Sequence, residues 1–225
     1  MRIALISDIH ANLQALKAVL EDIAAQGADQ IIFLGDAATI GPYPKETLET
    51  LQALNCVCIL GNHDATLLEP TRAAKFQIAD SLLPTLDRTL GCLSESHFSF
   101  LRSFRPTYEV ELQGRLTLLC FHASPRSNIE MVLSTTPEKT LTEILSGQSA
   151  EILAGGHTHI QMYRQHGEQV IINPGSVGSA FVEAYIPGGA NPRLLPWAEY
   201  AIVRADKSGW SVDLRRVRYD APWEG

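Results

Sequence analysis

Short apolar runs that stop at polar, glycine-marked turns set the rhythm of this chain. Ile3–Ile6 is apolar at every position, which predicts a strand covered on both faces and central in its sheet. Asp8-Ile9-His10 closes that run, and Asn12 is placed to cap a helix carrying Leu13, Leu16, Val19, Leu20 and Ile23 on one face, with Gly27 as its C-terminal stop. Gln30–Leu34 is a second strand ended by Gly35-Asp36, so the first unit reads as βαβ with parallel strands. After a loop over Ala37–Tyr43, Pro44 opens a second helix with Leu48, Leu51 and Leu54 inward. Cys56–Leu60 is a third, buried strand that Gly61 breaks before Asn62, His63 and Asp64.

From about Ala65 to Phe104 the pattern is helical, with breaks expected near Pro84 and Gly91 and Ser94 capping the last piece. His97 falls inside that piece and reads as a surface or half-buried helix residue. Beyond Arg105-Pro106 the period shortens. Thr107–Leu112 and Arg115–Phe121 form a hairpin about Gln113-Gly114, and the second arm runs into His122-Ala123-Ser124-Pro125. A helix with Leu141, Ile144 and Leu145 inward follows Thr136-Pro137. Glu151–Ala154 is a strand ending in Gly155-Gly156-His157-Thr158-His159. Ile160–Gln165 and Glu168–Ile172 pair about His166-Gly167, and Asn173-Pro174-Gly175-Ser176 is a tight turn. The proline- and glycine-rich stretch Tyr185–Pro196 is a surface loop, and Trp197–Arg204 with Trp210–Val217 makes a last hairpin about Lys207-Ser208-Gly209. The whole predicts one domain over residues 1–225 of α/β (α+β-like) class: two sheets with helices outside, the first half βαβ and the second half mostly hairpins.

Composition narrows the function. The 225 residues are 45% hydrophobic and 19% charged with a formal net charge of −7, and no Lys/Arg-rich run occurs. A small or single-ended phosphate ligand therefore suits the chain better than long nucleic acid, which calls for a basic stripe. Cys56, Cys58, Cys92 and Cys120 include no CxxC pair and read as buried thiols in a reducing compartment. Met1–Ser7 is too short and wrongly followed for a signal peptide, and no apolar segment approaches a membrane span. A cytoplasmic protein without a membrane partner is expected; homo-oligomerisation stays open.

Five of the seven histidines stand at predicted strand ends, among Asp8/His10, Asp36, Asn62/His63, His122 and His157/His159. Strand ends in such sheets gather at one edge, where ligands bind. Asp8 and His10, two apart on extended chain, are expected to point to the same side, as are His157 and His159. Asp36 stands alone after its glycine, free to use both oxygens as a carboxylate bridging two cations must. Imidazole, carboxylate and amide ligands without thiolate suit Mn, Fe, Ni, Co or Zn rather than Cu(I). Seven ligands exceed the needs of one catalytic ion and suit two with open positions.

In this order Asp8-x-His10, Gly35-Asp36, Gly61-Asn62-His63-Asp64, His122 and Gly156-His157-Thr158-His159 resemble the calcineurin-like metallophosphoesterases, in particular the compact bacterial and archaeal phosphodiesterases. Asn12-Leu13, Gly41-Pro42, His122-Ala123-Ser124-Pro125 and Asn173–Gly178 extend the likeness, which runs from Met1 to about Phe181. The resemblance implies two mixed sheets packed as a sandwich flanked by helices. It implies one metal held by Asp8, His10, Asp36 and His159, and a second held by Asp36, Asn62, His122 and His157. A hydroxide between the metals would attack phosphorus in line, with His63 as the acid for the leaving alkoxide and Asp64 orienting His63.

That reading predicts a phosphodiesterase or phosphatase acting on a small phosphoester or nucleotide. A phosphomonoester and a dinucleoside polyphosphate stay open as substrates. The same resemblance covers scaffold proteins that keep the fold and lose part of the site; the full ligand set with His63 favours catalysis. Phosphoprotein phosphatases are disfavoured, because no arginine-rich active-site pattern is present. Arg126 is a candidate phosphate contact, although an exposed loop arginine is the commoner case.

Overall fold

The computed structural model describes residues 1–114, 116–185 and 192–220. The expected strand start at Arg115 and part of the Tyr185–Pro196 loop lie outside them. In chain order the elements begin with β1 (Arg2–Ile6), α1 (Leu13–Gln26), β2 (Gln30–Phe33), α2 (Pro44–Leu54), β3 (Val57–Cys58) and α3 (Asn62–Leu68). Then come α4 (Leu83–Cys92), α5 (Glu95–Leu101), β4 (Thr107–Glu111), β5 (Thr117–Phe121) and α6 (Glu138–Ile144). The chain continues through β6 (Ile152–Ala154), β7 (Met162–His166), β8 (Gln169–Asn173), β9 (Ala198–Asp206) and β10 (Gly209–Val217). Two five-stranded sheets result, ordered β10-β9-β1-β2-β3 and β4-β5-β6-β8-β7.

Alternation along the strands sorts side chains into three apolar layers. Ile3 and Leu5 of β1 face the gap between the sheets, where they meet Ile32, Leu118, Cys120, Ile152, Val170, Ile172 and Val203. Ala4 and Ile6, one step out of phase, pack with Phe33 against Leu16, Val19 and Ile23 of α1 and Leu48 and Leu51 of α2. On the far side, Leu119, Phe121, Leu153 and Ile171 pack against Leu141 and Ile144 of α6. The layers are helix, sheet, sheet, helix, so central strands are buried on both faces and their apolar runs are continuous. As expected, β1 is central and parallel to β2, with Ile3 opposite Gln30 and Ile6 opposite Phe33.

Several expectations are corrected. The third strand is a two-residue edge piece; Val57 is only half buried, and after Ile59 N–H makes a last bond to Phe33 C=O the chain turns to Arg105, whose C=O accepts Leu60 N–H. The second half does hold the three expected hairpins, β4–β5, β7–β8 and β9–β10, but parallel pairs that were not expected join them: β5 with β6 and β6 with β8, with α6 between β5 and β6. The 62–104 region breaks after α3 into short 3-10 turns at Pro70–Arg72 and Asp80–Leu82. The expected breaks near Pro84 and Gly91 are present: Pro84 stands in the first turn of a new helix, α4, which ends at Cys92, and Ser94 caps α5. His97 is buried, its Nδ1 3.0 Å from the Ser94 backbone nitrogen and 2.8 Å from the Ser94 hydroxyl. Cys92 is exposed and Cys56 half buried, so only Cys58 and Cys120 are the buried thiols expected. The closing hairpin does not stand apart. β9 pairs antiparallel with β1, Arg2 opposite Arg204 and Leu5 opposite Ala201, which completes the first sheet. No helix among the described residues is long and apolar enough to cross a membrane.

Candidate metal centre

The turns that follow β1, β2, β5 and β6 meet the start of α3 along one edge of the two sheets. Asp8, His10, Asp36, His157 and His159 all take left-handed backbone conformations, with φ of 54°, 49°, 66°, 67° and 59°. The sequence reading placed Asp8/His10 and His157/His159 on extended chain; they converge instead because each strand ends in a tight left-handed turn. Such non-glycine conformations cost about 1–3 kcal/mol each and persist only where neighbours over-determine them. Here backbone hydrogen bonds do so. Asp8 N–H donates to Gly35 C=O at 2.9 Å, His10 N–H to Asp36 C=O at 3.0 Å and Ala11 N–H to Ala37 C=O at 2.8 Å. The Ser176 hydroxyl donates to Asp8 C=O at 2.7 Å, and His157 N–H donates to Asp8 Oδ2 at 2.9 Å.

Two glycines let these turns touch. A Cβ on Gly35, whose φ is +107°, would lie 2.6 Å from His122 Nδ1. One on Gly156 would lie 1.8 Å from Ser7 Oγ and 2.6 Å from Asp8 Oδ2. No side chain fits at either position.

The convergent atoms form overlapping groups. Asp8, His10 and His159 bring potential ligand atoms within 4.8 Å of one another, as do Asp36, His122 and His157, and also His10, Asp36 and His63. Asp36 Oδ2 is 3.4 Å from His122 Nε2 and 3.9 Å from His10 Nε2, so one carboxylate oxygen faces both halves of the centre. Outward hydrogen bonds aim the inward atoms. His122 Nδ1 is 2.8 Å from Leu34 C=O and His159 Nδ1 is 2.7 Å from Ser179 C=O; a carbonyl only accepts, so both Nδ1 atoms carry hydrogen and Nε2 faces the centre. The Asn62 amide donates to Phe76 C=O at 3.0 Å, which turns Asn62 Oδ1 inward, 3.1 Å from His122 Nε2.

Burial opposes ionisation of Asp8, but His159 and His122 outweigh it and hold that carboxyl down at about 2. Asp36 is likewise held well below the ordinary range, by His122 and His63 against its burial. Burial, reinforced by His122, pushes His157 down to about 4, and burial with His159 and His63 holds His10 well below the ordinary imidazole range. These two imidazoles are therefore neutral and ready to donate lone pairs. Asp8 Oδ1 is buried and makes no hydrogen bond, an orphan acceptor aimed into the cluster. A buried carboxylate oxygen that makes no hydrogen bond, with His159 Nε2 at 3.4 Å and His10 Nε2 at 3.9 Å, fits a divalent cation.

A model of the calcineurin-like phosphoesterase superfamily domain matches residues 1–186. The chain belongs to that superfamily. The uncharacterized protein MJ0912 of Methanocaldococcus jannaschii is 29% identical over 97% of this chain and 88% of its own length. Phosphodiesterase YfcE of Escherichia coli K12 is 27% identical over 85% of this chain and 84% of its own. The crystal structure of a metallophosphoesterase from Sphaerobacter thermophilus superposes with a TM-score of 0.73 at 28% identity, covering 97% of this chain and 89% of that one. The two helix-flanked mixed sheets are thus the metallophosphoesterase fold that the sequence predicted.

Within this phosphoesterase two expectations change. The helix expected from about Ala65 begins earlier: Asn62, His63 and Asp64 form the first turn of α3, with Gly61 as its N-cap. Asp64 does not orient the His63 ring. Its carboxylate accepts the backbone N–H groups of Asp36 at 2.8 Å, Ala37 at 2.9 Å and Gly61 at 3.0 Å, pinning the β2 turn to α3. At N3 of the helix, Asp64 points back at those donors, as N3 acids do. Burial, with the negative Asp36 close by, pushes its carboxyl up to about 7 despite the three N–H donors. The His63 ring is held elsewhere: its Nδ1 is 2.8 Å from the Thr39 hydroxyl, while its backbone N–H donates to Asp36 Oδ1 at 2.9 Å. Arg126 is paired with Glu130 and donates to Glu143 C=O, so the guanidinium is committed to its own loop and to α6. Thr39 and Ser179 carry no signal in the sequence, and Ser176 stood out only as part of the Asn173–Gly178 turn, not for its bond to Asp8. None is a metal-ligand type, and only their contacts reveal them.

Proposed function

We propose that this phosphoesterase is a phosphodiesterase that works with two divalent transition-metal ions. The supporting observation is Asp36 Oδ2, which faces His10 on one side and His122 on the other and so suits a shared ligand. On this reading Asp8, His10, Asp36 and His159 hold one ion, and Asp36, Asn62, His122 and His157 hold the other. Divalent cations bound there supply Lewis acidity toward phosphoryl oxygens and acidify water. His63 Nε2 makes no hydrogen bond among the described residues, whereas Nδ1 is taken by Thr39, so Nε2 is left to give a proton to the leaving oxygen. The diester preference draws on the likeness to the E. coli phosphodiesterase.

The test is turnover of a panel of phosphomonoesters, phosphodiesters and dinucleoside polyphosphates by metal-stripped protein supplied with each candidate metal, alongside elemental analysis. Diester hydrolysis, with Mn²⁺ among the activating ions and two ions per chain, is expected. Monoester turnover that greatly exceeds diester turnover across metals would make the chain a phosphatase, and at most one ion per replete chain would remove the dinuclear centre.

Metal uptake should also release protons. Burial would lower His122, but Asp36 and Asp8 outweigh it and push it up to about 9; His159 is raised too, by Asp8 against its burial. At pH 7 metal-free His122 therefore carries a proton on Nε2 that a ligand role displaces. Apparent affinity should rise with pH through the neutral range and level off above about pH 9. Titration calorimetry in buffers of different ionisation enthalpy reads the proton release directly; heats independent of buffer would refute the ligand role of His122.

A further inference from the structure

We infer that Thr39 is a positioning residue whose hydroxyl links His10 to His63 and keeps a proton on Nε2 of His63. Thr39 is 3% exposed, in the loop after Asp36. Its Oγ1 is 2.8 Å from His63 Nδ1 and 3.4 Å from His10 Nδ1, and the two rings meet edge to face with centroids 5.0 Å apart.

The donor and acceptor inventory favours one direction for this chain of bonds, because His10 and His63 are the partners of Thr39 Oγ1 among the described residues and the opposite direction leaves the hydrogen of a buried hydroxyl without an acceptor. A hydroxyl has one hydrogen to give and two lone pairs to receive. With Nε2 of His10 engaged as a ligand, the His10 ring hydrogen sits on Nδ1, and the acceptor within reach is Thr39 Oγ1. The Thr39 hydrogen is then free for His63 Nδ1. A neutral His63 that accepts at Nδ1 carries its hydrogen on Nε2. When His63 is protonated on both nitrogens, Nδ1–H donates to Thr39 Oγ1, whose second lone pair still serves His10, and Nε2–H is unchanged. In both charge states the hydrogen available to a leaving oxygen is in place, and the ring is held against rotation about χ2. Ser could do the same. Val, of nearly the same shape, could not.

The catalytic consequence rests on the phosphodiesterase reading, whereas the tautomer does not, and the experiment separates the two. Long-range ¹H–¹⁵N correlation spectra of zinc-loaded, ¹⁵N-histidine-labelled protein report which ring nitrogen bears hydrogen. The His63 signals are assigned by their loss in His63→Gln. Wild type and Thr39→Ser should show the Nε2–H form or the doubly protonated ring, and Thr39→Val a mixture of tautomers at unchanged zinc content. Thr39→Ala removes the hydroxyl without adding bulk and serves if Thr39→Val folds poorly. In kinetics, Thr39→Val should lower kcat for alkyl or nucleoside diesters roughly tenfold, the scale of one lost hydrogen bond, with KM and aryl-ester turnover little changed and Thr39→Ser restoring the rate. An Nδ1–H tautomer in wild type, a metal-shifted His63 nitrogen, or a Thr39→Val spectrum like that of wild type would overturn the assignment. Failure of diester hydrolysis with the expected spectra would overturn the activity alone.

Discussion

Asp36→Asn is expected to empty both halves of the metal centre and to lower turnover by more than about 100-fold. Residues that merely support metal ligands typically cost 10–100-fold when changed, and a carboxylate shared between two ions should exceed that. The substitution is nearly isosteric. The amide oxygen it introduces could still accept the His63 N–H that Asp36 Oδ1 now takes at 2.9 Å, so the β2 turn and α3 should stay in place. What disappears is the negative charge of Oδ2 between His10 and His122. His10→Ala is the control, because on the proposed assignment it weakens one ion only. Elemental analysis of both variants after metal loading, with circular dichroism to establish folding, decides the matter. Equal metal loss in the two would show that Asp36 is not shared.

The second large effect concerns His63. His63→Ala should retain its metal and yet lose turnover in proportion to the basicity of the leaving group. General acid help is typically worth about 10²–10⁴-fold and matters only where the departing oxygen needs a proton. An alkyl or nucleoside alkoxide needs one, whereas an activated aryloxide does not. The mutant-to-wild-type ratio of kcat across esters of graded leaving-group pKa should therefore fall steeply toward the alkyl end. His10, Asp36 and His63 also form one of the close clusters, so a ligand role for His63 has a definite signature. Metal lost on substitution would make it a ligand. A flat ratio at full metal content would give it a phosphate-binding role instead.

Much of the fold was legible because burial writes itself into local pattern. β1 reads as apolar at four successive positions from Ile3 to Ile6, and all four are fully buried, alternately between the sheets and under the helices. Asn12 does accept the Ala15 N–H, and Gly27 ends α1 with φ of 66°. The gathering of polar residues at strand ends was equally visible, since each follows an apolar run and a break. The third strand was overestimated because Cys56–Leu60 is apolar for two reasons. Val57 and Cys58 pair with β2 and Ile59 N–H still donates to Phe33 C=O, whereas Leu60 N–H donates to Arg105 C=O. Apolar character reports burial and does not report the hydrogen-bond partner.

By itself the sequence determined the order of strands and helices in the first half, the positions of the polar strand ends and the oxygen- and nitrogen-rich character of the centre. These follow from period and residue chemistry, which are local. Tertiary structure alone decided that β9 returns to pair with β1, because apolar strands of similar pattern do not name their partners. It also decided that Asp8, His10, Asp36, His157 and His159 adopt left-handed turns. Non-glycine residues avoid that region unless distant hydrogen bonds, such as Ser176 to Asp8 C=O and His157 N–H to Asp8 Oδ2, enforce it. For the same reason Asp64 turned to three backbone N–H groups and Thr39 to His63. The nearest donor in space comes from another strand end, and sequence adjacency carries no information about it.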